Sequence, residues 1–226
     1  MKYILLVLLT LFSACLMAQA PRLPAAGVTP EKFIPQGWTL VANVAADFNK
    51  DKLADAAIVI QQGQSKRNAQ QICQESYHPQ LLFVVLKQPD GTYKLSVSTQ
   101  KIFGEYDCMQ FQSIGQRAGT LKVVFGDMSI NGTSSEHDYF FRYQQNDWLL
   151  IGYKNEMAKN AGSDMGVWGT DMNLLTGTAE EYRLKIDPKS DVMEGPKEIT
   201  ATKRSKPKPL IKLTDLDVDK GSFMEN

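Results

Sequence analysis

Turn signals punctuate this chain at intervals of about ten residues, and the stretches between them alternate or are apolar without a helical period. "QLLFVVLKQ" and "YKLSVSTQ" flank "PDGT", where Asp90-Gly91 supplies the left-handed positions of a hairpin turn. "MQFQSIGQ" and "TLKVVFGD" flank "RAG", "HDYFFRYQQ" and "WLLIGYKNE" flank "ND", and "GVWGTDMNLLT" and "TAEEYRLKID" flank Thr176-Gly177. Earlier, "WTLVANVAAD" alternates as a half-buried strand, and "ADAAIVIQQ" reads as a short strand buried on both sides. Hairpin-linked strands of this kind predict an all-β protein: an antiparallel meander forming a curved sheet or small sandwich.

The ends differ from this middle. "MKYILLVLLTLFSACLMAQA" has a positive start at Lys2, an apolar run and small residues at Ala14, Ala18 and Ala20. That is the pattern of an export signal over residues 1–20, too short to span a bilayer as a mature helix. Cleavage after Ala18 and cleavage after Ala20 are both open. So is a lipid anchor at Cys15, because "FSAC" resembles a lipobox with Phe12 where leucine is usual. Residues 21–37 carry Pro21, Pro24, Pro30 and Pro35 and read as an extended lead-in with one helical turn at "PEKF". The β-domain is expected over 38–186. From 187 to 226 the chain turns charged and Pro-bearing, as a linker or extended tail in which "PLIKL" could form an edge strand.

Export leaves Cys73 and Cys108, an even pair in an oxidising compartment, and predicts a disulfide worth about 3–4 kcal/mol. Lys+Arg and Asp+Glu are equal at 25 each, which speaks against a basic face for nucleic acid. The basic cluster Lys203, Arg204, Lys206 and Lys208 has no interleaved aromatic residues and reads as a solvated tail.

One stretch carries concentrated chemistry. In "DFNKDKLAD" oxygen-bearing side chains stand at Asp47, Asn49, Asp51 and Asp55, and Leu53 offers a backbone carbonyl. Ca²⁺ takes six to eight oxygens, and alternate positions of a short loop can wrap it. Three carboxylates so close repel one another without a cation. The EF-hand is excluded, since Ile58 stands where its bidentate glutamate belongs and strands flank the loop. The alternative is a polar turn whose aspartates cap backbone amides.

Asp47, Asn49, Asp51, Leu53 and Asp55, followed by "AAIVI", resemble the FG-GAP/VCBS-type repeat, the calcium-binding strand–loop–strand unit of integrin-like propeller blades. The resemblance covers about 20 residues. It implies Ca²⁺ ligation by the four side chains and the Leu53 carbonyl. "PQGW", "FFRYQQNDWLLIGY" and "MNLLTGTAEEY" are similar to single-unit bacterial envelope proteins without an established activity. Lys52 replaces the glycine usual at position six, where a left-handed residue with a side chain costs about 1 kcal/mol. With Lys50 beside it, a weak site is expected, in the range of about 10⁻⁴–10⁻³ M.

Other chemistry is thin. His78 and His137 are too few for a zinc site. Ser135, His137 and Asp138 sit in one segment, but adjacent strand residues face opposite sides, so no local triad is expected. Glu105 and Asp107 read as surface loop acids, and Asn131-Gly132 as a turn. Asp215, Asp217 and Asp219 echo the first loop without its closing ligand, since Phe223 stands there. Trp38, Trp148 and Trp168, with Tyr139, Phe140, Phe141 and Tyr143, could form an aromatic face for carbohydrate or peptide, but such residues are more often core. Alternation puts Tyr139, Phe141 and Tyr143 on one side and Phe140 and Arg142 on the other. The expected function is a non-enzymatic, Ca²⁺-stabilised module in the periplasm, on the outer membrane surface or outside the cell, with an envelope protein or glycan as partner. The alternative is a carboxylate-dependent hydrolase of glycans or peptides.

Overall fold

The computed structural model describes residues 21–63, 79–104, 109–128, 133–159, 166–184 and 196–220. Within them the chain is all-β, in two antiparallel sheets not closed into a barrel. The first sheet holds β1 (Ala26–Gly27), β2 (Trp38–Ala46), β3 (Asp55–Gln62), β4 (Gln80–Lys87) and β5 (Tyr93–Thr99), in the order β1-β5-β4-β3-β2. The second holds β6 (Gln110–Arg117), β7 (Thr120–Met128), β8 (Thr133–Gln144), β9 (Asp147–Lys159), β10 (Gly166–Asn173), β11 (Thr178–Leu184) and β12 (Lys197–Arg204), each beside its neighbour in sequence.

The turns behave as their chemistry requires. Ala118 and Gly119 are left-handed between β6 and β7, with φ of 49° and 74°. Between β8 and β9 the turn is Gln145-Asn146, one residue earlier than "ND", with φ of 55° and 59°. Two left-handed central residues give the twist that a two-residue hairpin needs. In the β4–β5 connection only Gly91 is left-handed, while Asp90 caps the turn by accepting from Thr92 N and Thr92 Oγ1 at 2.9 and 2.6 Å.

The two sheets share a core. Ala57 and Val59 of β3 and Leu82 and Val84 of β4 join Val123, Phe125, Tyr139, Phe141, Trp148 and Tyr153 of the second sheet. The alternate residues Ala56, Ile58, Ile60, Leu81, Phe83 and Val85 form a separate cluster on the opposite face of the first sheet, capped by Phe33. Phe33 closes a 3₁₀ turn at Pro30–Phe33, and Ala26–Gly27 pairs with β5. The lead-in is therefore a lid on the first sheet. Burial on both faces explains why β3 and β4 are unbroken apolar runs.

The C-terminal segment departs most from the sequence reading. The terminal strand of the second sheet is Lys197–Arg204, paired with β11, and "PLIKL" also reaches a sheet edge, through an antiparallel bridge between Lys212 and Leu149 of β9. Past β12, Leu213, Leu216 and Val218 are buried in the inter-sheet core, where a solvated tail was expected. The reason lies in β10, whose pairing with β9 ends at Asn173↔Gly152. The chain returns to fill the vacated edge. Leu150 N donates to Ile211 O and Leu213 N to Trp148 O, both at 2.8 Å. These two bonds satisfy backbone groups that β10 leaves open.

Candidate functional site

The Asp47–Asp55 loop joins β2 to β3 where the two sheets meet. Its second residue, Phe48, is 1% exposed and packs edge-on against Trp148, with ring centroids 5.4 Å apart. Trp148 Nε1 in turn donates to Ser96 Oγ on β5 at 2.9 Å. An aromatic plug thus pins the loop from below and leaves Asp47, Asn49 and Asp51 on its outer rim.

Those outer side chains fold back on the loop's own backbone. Asp51 N donates to Asp47 Oδ1 and to Asn49 Oδ1, each at 3.0 Å. Lys52 N donates to Asp47 Oδ2 at 2.9 Å, and Leu53 N to Asp51 Oδ1 at 2.8 Å. Asn49 Nδ2 donates to Asp51 Oδ2 at 2.8 Å. Lys50 and Lys52 are both left-handed, with φ of 67° and 72°. The position where glycine is usual does adopt the conformation that favours glycine, and Lys50 adds a second such residue.

Asp55 behaves differently from its three companions. It is fully buried. Its Oδ2 accepts from Phe48 N at 2.9 Å and Asn49 N at 3.4 Å, and its Oδ1 from Lys87 N at 2.9 Å. One carboxylate therefore ties the start of the loop, the start of β3 and the end of β4 together. Burial pushes its pKa above the ordinary aspartate value, against the pull of the amides of Lys87, Phe48 and Asn49, and the charge of Asp51 pushes the same way. The parity of β3 explains the inward turn. Asp55 has the same facing as Ala57 and Val59, which lie on the inter-sheet side.

The expected ligand set is thus split. Asp47, Asn49 and Asp51 converge around Asp51 N on the exposed rim. Asp55 is held underneath by main-chain amides. Among the described residues no three Asp, Glu, His or Cys side chains form a group that could hold a metal ion. The outer oxygens keep further lone pairs for a hard cation. They would have to take it beside the amides they already cap, with Asp55 as an inner anchor.

The second acidic stretch is built into the fold. Leu216 and Val218 are buried, and Asp219 N donates to Asp217 Oδ1 at 3.2 Å. Ser135, His137 and Asp138 are not all brought together. Asp138 lies on the opposite face from His137 and pairs with Lys122 Nζ at 2.7 Å. His137 instead sits between Ser135 Oγ, 3.1 Å from Nε2, and the Tyr153 hydroxyl, 2.7 Å from Nδ1. Burial pushes the Tyr153 hydroxyl up to about 12, and the hydrogen bond with Asn155 opposes it. Cys15, Cys73, Cys108, His78, Glu105, Asp107, Asn131 and Gly132 lie outside the described residues.

Of the aromatic residues, Trp148, Tyr139 and Phe141 are core, and Trp38 packs on the lead-in cluster. Trp168 carries the Arg183 guanidinium 5.1 Å from its ring centroid. Among the described residues no helix is long and apolar enough to cross a membrane. Searches of protein-family models, curated proteins and solved structures match nothing to this chain.

Proposed function

We propose that this chain is an exported, non-enzymatic β-domain that serves the cell envelope as a structural or binding module, with the Asp47–Asp55 loop as a weak, Ca²⁺-responsive fastener. The observation that carries the reading is the Asp55 carboxylate, which gathers amides from the loop and from β4 beneath a rim of three further oxygen-bearing side chains. A cation on that rim would relieve the repulsion between Asp47 and Asp51 and stiffen a connection on which both sheets rest. Asp47, Asn49, Asp51 and the Leu53 carbonyl are the outer donors, and Asp55 orients them from below. The positive charges of Lys50 and Lys52 beside the rim keep affinity low. The N-terminal export signal supports an extracytoplasmic setting, where free Ca²⁺ is plentiful. The partner in this reading is an envelope protein or a glycan.

The test is thermal unfolding with Ca²⁺ and with chelator. For a dissociation constant of about 1 mM, 10 mM Ca²⁺ stabilises by about 1.4 kcal/mol, or about 3–6 °C in Tm. Asp51→Ala should abolish the rise. Identical melting curves for the unaltered chain in the two conditions would end the calcium reading.

A further inference from the structure

Where β10 leaves β9 and the C-terminal segment takes its place, the second sheet carries a recess of about 450 Å³. That lies within the range of about 300–1,000 Å³ typical of small-molecule sites. Its floor is Met172, Leu174, Ala179, Leu210 and Ile211, each half-buried, with Pro209 at the side. Lys203, Arg204, Lys206 and Lys208 stand around it, and no acidic residue lines it. Lys203 pairs with Glu181. Among the described residues, Arg204, Lys206 and Lys208 have no ion-pair partner.

The lining selects among ligand chemistries. A cation would meet three unneutralised positive charges. A sugar ring or nucleobase would find no aromatic side chain to stack on, because none lines the recess. Inorganic phosphate would satisfy the rim and leave the apolar floor wet. A single aliphatic chain with an anionic head uses both halves. The chain covers the floor, and the head meets one guanidinium fork, which matches two carboxylate oxygens, with two ammonium groups beside it. We propose that this recess is a binding site for a single-chain aliphatic carboxylate, seated by its chain on Leu174, Leu210 and Ile211 and by its head on Arg204, Lys206 and Lys208. The charges stay exposed because the backbone that carries them is bridged to the hairpin turn. Ser205 N donates to Gly177 O at 2.8 Å, and Ile211 is fixed to β9.

The experiment is calorimetric titration of the full chain with dodecanoate below its aggregation concentration, in chelator, so that the result is independent of the calcium reading. Expected is saturable one-to-one binding, at least tenfold weaker for dodecanol. Binding should also weaken at least tenfold in the triple variant Arg204→Gln, Lys206→Gln, Lys208→Gln, whose altered side chains are exposed and whose melting curve should be unchanged. Leu174→Asp, which places a charge on the floor, should remove binding. No saturable binding of dodecanoate overturns the proposal, as does equal affinity for dodecanol or unchanged affinity in the triple variant. Binding to phosphatidylglycerol vesicles without binding of free dodecanoate also overturns it, in favour of a surface patch.

Discussion

Two highly charged stretches of this protein, Asp47–Asp55 and residues 203–208, are held in opposite ways. The acidic loop is held by its polar atoms, since every one of its carboxylates accepts main-chain amides. The basic stretch is held by its backbone, through the pairing of Lys203 and Arg204 with β11 and of Ser205 N with Gly177 O, and by the apolar anchors that follow it, Leu213, Leu216 and Val218. Among the described residues its cations beyond Lys203 make no ion pair. Charge density in a sequence therefore says little about role until the partners are known. In the loop the charge builds the fold. In the basic stretch the fold presents the charge.

The sharpest way to break this contrast is Asp55→Ala. It strands the amides of Phe48 and Lys87, and in part that of Asn49, in a buried place, at about 1–3 kcal/mol for each unsatisfied group. A loss of about 3–5 kcal/mol in chemical denaturation is expected, and Asp55→Asn should fall between, since its one oxygen can keep only part of the set. A loss under about 1 kcal/mol would show that the loop does not depend on this carboxylate. The matching test for the other region is Leu213→Ala, with an expected loss of about 2–4 kcal/mol from a fully buried side chain. A loss near zero would return the segment to the solvated tail that its composition suggests.

The architecture was legible because it rests on local signals. Asp-Gly, Ala-Gly and Thr-Gly turns and alternating strands placed the hairpins to within a residue or two. The C-terminal segment was legible only in part, as a "PLIKL" that could join a sheet edge, because which edge it joins and what it buries depend on a distant event. Nothing near Leu213 tells the reader that β10 stops at Asn173 and leaves an edge of β9 to be filled. Pro and Lys density outweighed four apolar residues at Ile211, Leu213, Leu216 and Val218. Spacing singled out the loop residues, but spacing alone does not show that Asp55 faces inward and takes the amides of Phe48, Asn49 and Lys87. A period of two carried from Ala57 and Val59 back to Asp55 would have turned that residue inward. The recess was invisible for the same reason as the tail. Its floor and rim come from the β10–β11 hairpin and the returning chain, which meet only in the folded protein.

A gain is expected from Lys52→Gly. Lys52 holds φ of 72°, a region that penalises a side chain, and its amide bond to Asp47 Oδ2 involves only the backbone. Relief of about 1 kcal/mol of strain, less the added freedom of glycine in the unfolded chain, should leave a few tenths of a kcal/mol of stabilisation, up to about 0.5 kcal/mol. In the calcium reading the same variant should bind Ca²⁺ more tightly, because a positive charge also leaves the rim. A more stable variant with no change in its response to Ca²⁺ would separate the loop's structural role from any ligand.

The smallest effect is electrostatic and marks where the segment after the basic stretch is clipped to the fold. Lys212 Nζ lies 2.6 Å from Asp147 Oδ2, at the turn between β8 and β9. The Lys212 hydrogen bond holds the Asp147 carboxyl below the usual aspartate range, aided by the Trp148 amide and opposed by slight burial. The same bond raises the Lys212 ammonium above the usual lysine value. For the depressed carboxyl, the contribution to stability is present above its unfolded pKa of about 3.9 and is lost as pH falls through the folded value. For the raised ammonium, it is present below about 10.4 and is lost as pH rises through the folded value. The clip is therefore intact across neutral pH and opens at both extremes. Lys212 is exposed and Asp147 only half-buried, so salt screens the pair and the change in Tm is slight. Carboxyl chemical shifts resolve it where melting does not. Asp147 should titrate below the usual range in the unaltered chain and return toward it in Lys212→Gln. An unmoved titration would leave the two backbone bonds at Ile211 and Leu213 as the fastening of this segment to β9.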